Sequence, residues 1–224
     1  MSFLQKAAAA AMMTFACAGG AFAQSPALDW TGFYAGVGAG YGWGTADHRP
    51  GSGSITGAND LSPSGFVGGV QAGYNWQFSN GFVLGAEISA DMAGMTDSCE
   101  QGSDPGDCMP SGAPDTEEKI QSIVAFKARF GVAMGTVLPY VSAGLAAAST
   151  SRISSAGGGQ TISQGYGGPT VGVGIEWAFA PEWSLNVGYQ YTDLGTQTYV
   201  FPIGNDPIVH LTTSTFRFGL NKHF

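Results

Sequence analysis

Apolar and polar residues alternate with a period of two along residues 66–78. The even positions of this segment carry apolar residues, aromatic residues or glycine, whereas the residues between them are mostly small or polar. Such alternation is typical of a β-strand with one apolar face. The segment is about thirteen residues long. That exceeds the roughly five or six residues of most soluble strands and is enough for a tilted strand to cross a bilayer.

The same alternation restarts at Phe82, directly after the turn sequence Ser79-Asn80-Gly81. Because Asn-Gly strongly favours a tight turn, the two segments are expected to form a long hairpin. Weaker versions of the pattern recur along the rest of the chain. Together they predict eight strands, at residues 31–43, 66–78, 82–92, 120–134, 137–149, 165–179, 183–194 and 208–224.

The connections between these strands alternate in length. Three short turns, near 79–81, 135–136 and 180–182, alternate with four long polar segments, at 45–64, 94–118, 150–164 and 195–207. Short turns at one end and long loops at the other are typical of outer-membrane barrels. The sequence therefore predicts an all-β, eight-stranded antiparallel transmembrane up-and-down β-barrel. Interfacial aromatic girdles would be supplied by Trp30, Trp43, Trp76, Trp177, Trp183 and Phe224.

A soluble β-sandwich or a lipocalin-like barrel is the alternative fold. In either one the large apolar face would point inward, and it would overfill an eight-stranded interior. The opposite face of the first strand instead carries glycine at positions 36, 38, 40 and 42. In a narrow barrel these glycines would leave room for long side chains from other strands, which favours the transmembrane barrel.

Composition excludes some other classes of protein. The chain has 224 residues with a formal net charge of −8, and only 11% of its residues are charged. Nucleic-acid binding needs a basic surface, which this balance does not supply. Beyond the N-terminal segment no run of about eighteen apolar residues occurs, so a transmembrane helix is not expected.

The N-terminus has the features of a secretory signal peptide. Lys6 precedes an apolar stretch, and Ala21-Phe22-Ala23 is a cleavage site of the A-x-A type. Residues 1–23 are therefore predicted to be removed, which leaves 24–224 as the barrel domain. A lipoprotein signal ending at Cys17 is the alternative, but the preceding residues fit it poorly. Two cysteines then remain, and an even pair in an exported protein favours a disulfide between Cys99 and Cys108.

Three segments carry a family likeness. Residues 30–44 (WTGFYAGVGAGYGWG), 185–196 (LNVGYQYTDLGT) and 216–224 (FRFGLNKHF) resemble the small outer-membrane barrels of the OmpA-like, RopB-type outer membrane immunogenic protein family. The resemblance implies an eight-stranded outer-membrane barrel and an assembly signal on one face of the last strand. Lys222 departs from the family pattern, where an aromatic residue is usual. The residues of the implied assembly signal are Phe216, Phe218, Leu220 and Phe224.

The face predicted to line the lumen carries three acids and three bases: Glu87, Asp91, Lys127, Arg129, Glu176 and Arg217. An eight-stranded interior is just wide enough for side chains to fill, so these charges are expected to pair and plug it. Glu87 and Arg129 lie at similar heights on neighbouring strands, which predicts an ion pair between them. A gated ion path is the alternative role for the same charges.

Enzymatic and metal-binding residues are poorly supported. The histidines of the mature chain are His48, His210 and His223, and they lack a metal-ligand spacing. His210 and Ser214 share a face but lie about 13 Å apart along one strand, too far for a nucleophile and its base. Calcium binding by the acidic second loop is conceivable, but a solvated, disulfide-pinned loop fits its spacing better. Its acids are Asp97, Glu100, Asp104, Asp107, Asp115, Glu117 and Glu118.

The sequence therefore predicts a non-enzymatic integral outer-membrane protein with a structural or surface-exposed role, as an antigen or interaction protein. No cofactor is expected. The loops would be extracellular and both termini periplasmic. Outer-membrane lipid, lipopolysaccharide and, through the last strand, the barrel-assembly machinery are the expected partners. A narrow passive porin-like channel, or binding of haem, another ligand or a host surface by the loops, is the alternative function.

Overall fold

Eight antiparallel strands close into one barrel in the computed structural model, which describes residues 28–49, 62–99, 116–154, 160–198 and 208–224. Each strand pairs with its sequence neighbours, and β1 closes the barrel on β8 from Tyr34 opposite His223 to Arg49 opposite Ile208. The predicted fold class is confirmed. The strands are β1 Gly32–Arg49, β2 Ser64–Gln77, β3 Phe82–Cys99, β4 Thr116–Val132, β5 Val137–Ser154, β6 Gln160–Ala180, β7 Trp183–Thr198 and β8 Ile208–His223.

The three predicted short turns lie at one end of the barrel, which we call the short-turn end. Gly81 and Gly135 have φ angles of +84° and +65°, in the left-handed region that favours glycine. The side chain of Asn80 accepts a hydrogen bond from the backbone of Phe82 at 3.2 Å. The Asn-Gly pair thus forms the tight turn that its sequence predicts.

The strands run further toward the opposite, long-loop end than the alternation predicts. β1 continues six residues past Trp43, to Arg49, and β5 and β6 reach Ser154 and Gln160. The predicted loops are correspondingly shorter. The prediction failed there because the outward positions become polar, as at Thr45, so the apolar face that marks a strand disappears.

The outer wall is apolar over the height of a bilayer. Large apolar side chains point outward on every strand, including Phe66 and Met92 with 79% of each residue exposed. On β1 they run from Phe33 to Trp43, eleven residues. At a rise of about 3.3 Å and a tilt of about 40°, these span roughly 25 Å along the barrel axis. Such a surface fits lipid and does not fit the soluble alternative. None of the described residues forms a helix long and apolar enough to span a membrane.

Four tryptophans face outward, but Trp30 does not. Trp43, Trp76, Trp177 and Trp183 are exposed on the wall, as an interfacial girdle requires. Trp30 was predicted to join them, and this prediction is wrong. It precedes β1 and turns into the mouth of the barrel, where it is 1% exposed. Alternation could not place it, because it lies outside the first strand.

Candidate functional site

An arginine at the centre of the lumen joins two acids from different strands. Arg129 on β4 lies with Nη1 3.2 Å from Oε2 of Glu87 on β3, the pair expected from the sequence. Its Nη2 lies 2.6 Å from Oε2 of Glu176 on β6. The arginine is 3% exposed, Glu87 6% and Glu176 0%. We call Glu87, Lys127, Arg129 and Glu176 the central network.

Two tyrosines enclose this arginine. Tyr34 accepts a hydrogen bond from Arg129 Nη1 and donates one to Glu87, both at 2.7 Å. The ring centre of Tyr140 lies 3.9 Å from the guanidinium carbon, a cation–π distance. Glycine makes this arrangement possible, since a Cβ at Gly73 or Gly174 would lie 2.5 Å from a tyrosine hydroxyl. The inner glycines thus make room for long side chains of other strands.

Every carboxylate oxygen of the two acids in the central network has a cationic or hydrogen-bonding partner. Lys127 lies 2.9 Å from the second oxygen of Glu87. Glu176 Oε1 accepts hydrogen bonds from Ser184 at 2.6 Å and from Asn221 at 2.8 Å. A charge in a low-dielectric interior is tolerated only when it is paired and hydrogen-bonded in this way. The network and its hydrogen-bond partners therefore link β1, β3, β4, β6, β7 and β8 across the lumen.

The other two predicted charges form a separate pair nearer the long-loop end. Arg217 Nη1 lies 2.8 Å from Asp91 Oδ2, and each side chain is 14% exposed. Oδ1 of the aspartate and Nε and Nη2 of the arginine are buried without a hydrogen-bond partner among the described residues. They lie beside a cavity of about 50 Å³ that Glu87 and Lys127 also line. A polar cavity of this size has room for a few water molecules.

Two layers of apolar side chains fill the lumen on either side of these charges. The alternation pattern predicted neither layer. One lies at the short-turn end and consists of Trp30, Val83, Leu138 and Ala178. The other lies toward the long-loop end, and all eight strands contribute to it. Its members are Ala46, Val67, Met95, Ile120, Ile123, Ala125, Ala146, Ala148, Tyr166, Leu194 and Leu211. The charged network of the described lumen thus lies between two apolar layers.

Comparison with known proteins identifies the family. A family model described as an outer membrane protein beta-barrel domain matches residues 7–224. This chain belongs to that outer-membrane barrel family. The 31 kDa outer-membrane immunogenic protein of Brucella melitensis is 32% identical over 210 residues, which cover 88% of this chain and 85% of the relative. The resemblance inferred from the three sequence segments is therefore confirmed.

Two solved structures show the same fold at low sequence identity. The outer membrane protein OprG from Pseudomonas aeruginosa has a TM-score of 0.50 and 11% identity, covering 88% of this chain and 98% of that one. The outer membrane protease OmpT from Escherichia coli has a TM-score of 0.51 and 8% identity, covering 86% of this chain and 97% of that one. Likeness at such identities establishes the barrel architecture and nothing about activity.

A serine, a histidine and an acid meet at the short-turn end of this family member. Ser184 Oγ lies 2.9 Å from His223 Nε2, a contact that the sequence analysis did not foresee. Glu176 contacts the same Nε2 at 3.3 Å and also accepts the hydrogen bond that the serine hydroxyl donates. In a catalytic triad the acid would instead orient the other ring nitrogen, leaving Nε2 free to accept the serine proton. Ser184 is also 0% exposed, so the group has a structural arrangement.

Among the described side chains, His210 does not form a pair with Ser214. His210 contacts Thr196 at 3.1 Å, and Ser214 contacts Tyr189 at 2.9 Å, so the two residues have separate partners. The side chain of His48 lies outside the described part. Within residues 28–49, 62–99, 116–154, 160–198 and 208–224, no group of three or more His, Cys, Asp or Glu residues is placed to hold a metal ion.

The predicted assembly segment lies on the outer wall. Its residues Phe216, Phe218 and Phe224 are exposed on the wall, and Leu220 is half-buried. Lys222, the departure from the family pattern, places its ammonium 5.9 Å from the ring of Trp183 and 5.5 Å from that of Phe224. The lysine stem thus lies along aromatic surface while its charge remains at the barrel end, as a snorkelling side chain does.

Other predicted features lie outside the described residues. They are the signal peptide at 1–23, the pairing of Cys99 with Cys108, and most of the acidic second loop. These stay predictions from the sequence.

Proposed function

We propose that this chain is a non-conducting outer-membrane barrel whose long loops act at the cell surface as antigens or interaction elements. The observation that carries this function is the filled lumen, in which the central network, where Arg129 joins Glu87 to Glu176, lies between two apolar layers. The apolar layers, in series with the network, add a dewetting barrier to ion passage. The 32% identical relative, named an outer-membrane immunogenic protein, supports the surface role.

The same geometry argues against two of the alternatives from the sequence, a channel and an enzyme. A narrow porin-like channel needs a continuous polar path, and the described lumen is interrupted by apolar side chains at both ends. An enzyme needs an accessible nucleophile, whereas Ser184 is buried and its hydroxyl donates a hydrogen bond to Glu176. A non-enzymatic role without a conducting lumen therefore fits best.

Single-channel recording in planar bilayers tests the closed lumen. We expect the refolded wild type to insert without steady current, with heat-dependent gel mobility as the control for folding. Arg129→Gln should also remain silent, because both apolar layers stay in place. A steady, ion-selective current from the wild type would contradict the proposal and favour the narrow channel.

We also propose an orientation, with the long loops extracellular and both termini periplasmic. Short periplasmic turns and longer external loops are the rule for this architecture. In it the wall contacts outer-membrane lipid and lipopolysaccharide, and the last strand faces the barrel-assembly machinery. An epitope inserted within residues 101–115 should bind antibody on intact cells, whereas one at the 79–81 turn should bind only after the outer membrane is permeabilised. The reverse result would overturn this orientation.

A further inference from the structure

Trp30 closes the short-turn mouth from outside the strand framework. Its ring packs against Val83, Leu138 and Ala178, and Leu28 packs against the same cluster. These three partners are carried on strands. Trp30 precedes β1, whose pairing with β2 begins at Gly32 opposite Asn75. The ring can therefore leave the mouth without breaking a hydrogen bond of the barrel ladder.

A small set of contacts holds this segment in place. The backbone N–H of Trp30 donates to the side chain of Gln77 at 2.8 Å, and the backbone N–H of Gln77 donates to the Thr31 hydroxyl at 3.1 Å. Gly32 turns the chain into β1 with a φ of +145°, and a Cβ there would lie 2.7 Å from the Phe224 carbonyl oxygen. The segment thus has a clamp at Gln77 and a hinge that requires glycine.

A polar site lies directly beneath the ring. The Trp30 ring meets that of His223 edge to face, with centroids 5.7 Å apart. Behind it the histidine contacts Ser184 and Glu176. The Trp30 indole N–H is itself buried without a hydrogen-bond partner among the described residues. Burying this N–H without a partner costs free energy, which offsets part of the stabilisation from burying the apolar ring. The closed position is therefore less stable than its packing suggests.

We propose that residues 28–32 form a lid at the short-turn end, with Trp30 as its stopper and Gly32 as its hinge. Opening gives water and small polar solutes access from that end to the site formed by Ser184, His223 and Glu176. The central network and the apolar layer toward the long-loop end stay closed meanwhile, since their residues lie on paired strands. The lid therefore controls one mouth and does not make a pore.

Thiol labelling tests the lid without relying on conductance, so its failure leaves the silent lumen untouched. Cys17, Cys99 and Cys108 are replaced by Ser, and Ala178→Cys places a reporter beside the stopper. Ala146→Cys in the other apolar layer is the matched control. Labelling by a small water-soluble methanethiosulfonate is timed in lipid nanodiscs, with heat-dependent gel mobility as the check that each variant is folded.

We expect Trp30→Ala to speed labelling of the 178 reporter at least about tenfold, because the stopper no longer excludes the reagent. The rate at the 146 control should not change, and Trp30→Phe should keep the 178 reporter protected. Gly32→Val provides a second route, since it strains the hinge while keeping the ring, and should speed labelling in the same direction. Equal rates with and without the Trp30 ring, or equal acceleration at both reporters, would overturn the lid.

Discussion

The barrel has two parts whose apolar side chains point in opposite directions, outward in one and inward in the other. Within the apolar band, Trp43 and Val124 point outward while Glu87 and Arg129 point into the lumen. Beyond the band, toward the long-loop end, the outward positions are polar. The inward positions there carry fully buried apolar side chains such as Leu211. The first part is a membrane barrel, and the second is organised like a small soluble one.

The surroundings of the wall explain this inversion. Where lipid covers the outside, apolar residues are favoured there and the lumen is left to polar side chains. Where water covers the outside, burial of apolar side chains inside becomes the stabilising term. Three register shifts lie near the change, between Met92 and Met95, between Ile120 and Ser122, and between Asp193 and Thr196. Bulges re-aim side chains, which suits a point where the apolar face changes sides.

The largest expected effect comes from breaking the central network. Arg129→Met leaves Glu176 buried without its arginine partner, while Glu87 keeps Lys127 as its cation, which should cost about 3–5 kcal/mol of unfolding free energy. Urea unfolding in lipid vesicles, followed by tryptophan fluorescence, measures this loss.

The matched control removes the unpaired acid as well. Arg129→Met combined with Glu176→Gln keeps the Glu87–Lys127 pair and leaves no uncompensated charge in the central network, so most of the stability should return. If the single variant Arg129→Met were as stable as the wild type, the network would contribute no more than an exposed ion pair. The proposed difference between a charge-paired lumen in the membrane part and an apolar interior in the other part would then be contradicted.

The membrane part was predictable because its signals are local. Alternation with an apolar face gave the strand positions, and charges on the opposite face had to lie in the lumen. Glu87 and Arg129 could be paired by counting residues from the two short turns, 79–81 and 135–136, at the same end of the barrel. Glu176 could not be assigned to Arg129, because a contact between β4 and β6 depends on how side chains fill the barrel.

The apolar layer toward the long-loop end was missed because many of its outward neighbours are polar. Met95 follows the outward Met92 by three residues, and Leu194 follows the outward Tyr191 by three. An odd spacing moves a side chain to the opposite face of a strand. That spacing was therefore a usable signal for apolar residues inside the barrel. Trp30 offered no comparable signal, since its position depends on a turn at Gly32 before the first strand.

A smaller effect is expected in the apolar layer toward the long-loop end. Leu211 is fully buried there, and Leu211→Ala should cost about 2–4 kcal/mol through lost burial and the cavity left behind. Leu211→Met keeps the volume and should cost less than about 1.5 kcal/mol. A second substitution at a charged residue should not restore this stability, whereas it should do so for Arg129→Met. The same urea titration decides this, and equal costs for the two Leu211 variants would show that the layer is loosely packed.

A still smaller effect should follow from breaking the Asp91–Arg217 pair. Each side chain is 14% exposed, and three of their polar atoms already lack a protein partner beside the cavity. Water in that cavity can solvate the Asp91 carboxylate when the arginine is removed. Arg217→Met should therefore cost about 1–2 kcal/mol, between the values for exposed and for buried ion pairs.

The exposed ion pair at the short-turn end should contribute the least to stability. Lys222 Nζ lies 3.8 Å from Glu182, with both side chains largely in solvent, so Lys222→Met should change stability by less than about 1 kcal/mol. If Arg217→Met instead cost as much as Arg129→Met, the cavity would not be hydrated. Both lumen pairs would then depend equally on charge pairing in a dry interior, and access of water would no longer explain their difference.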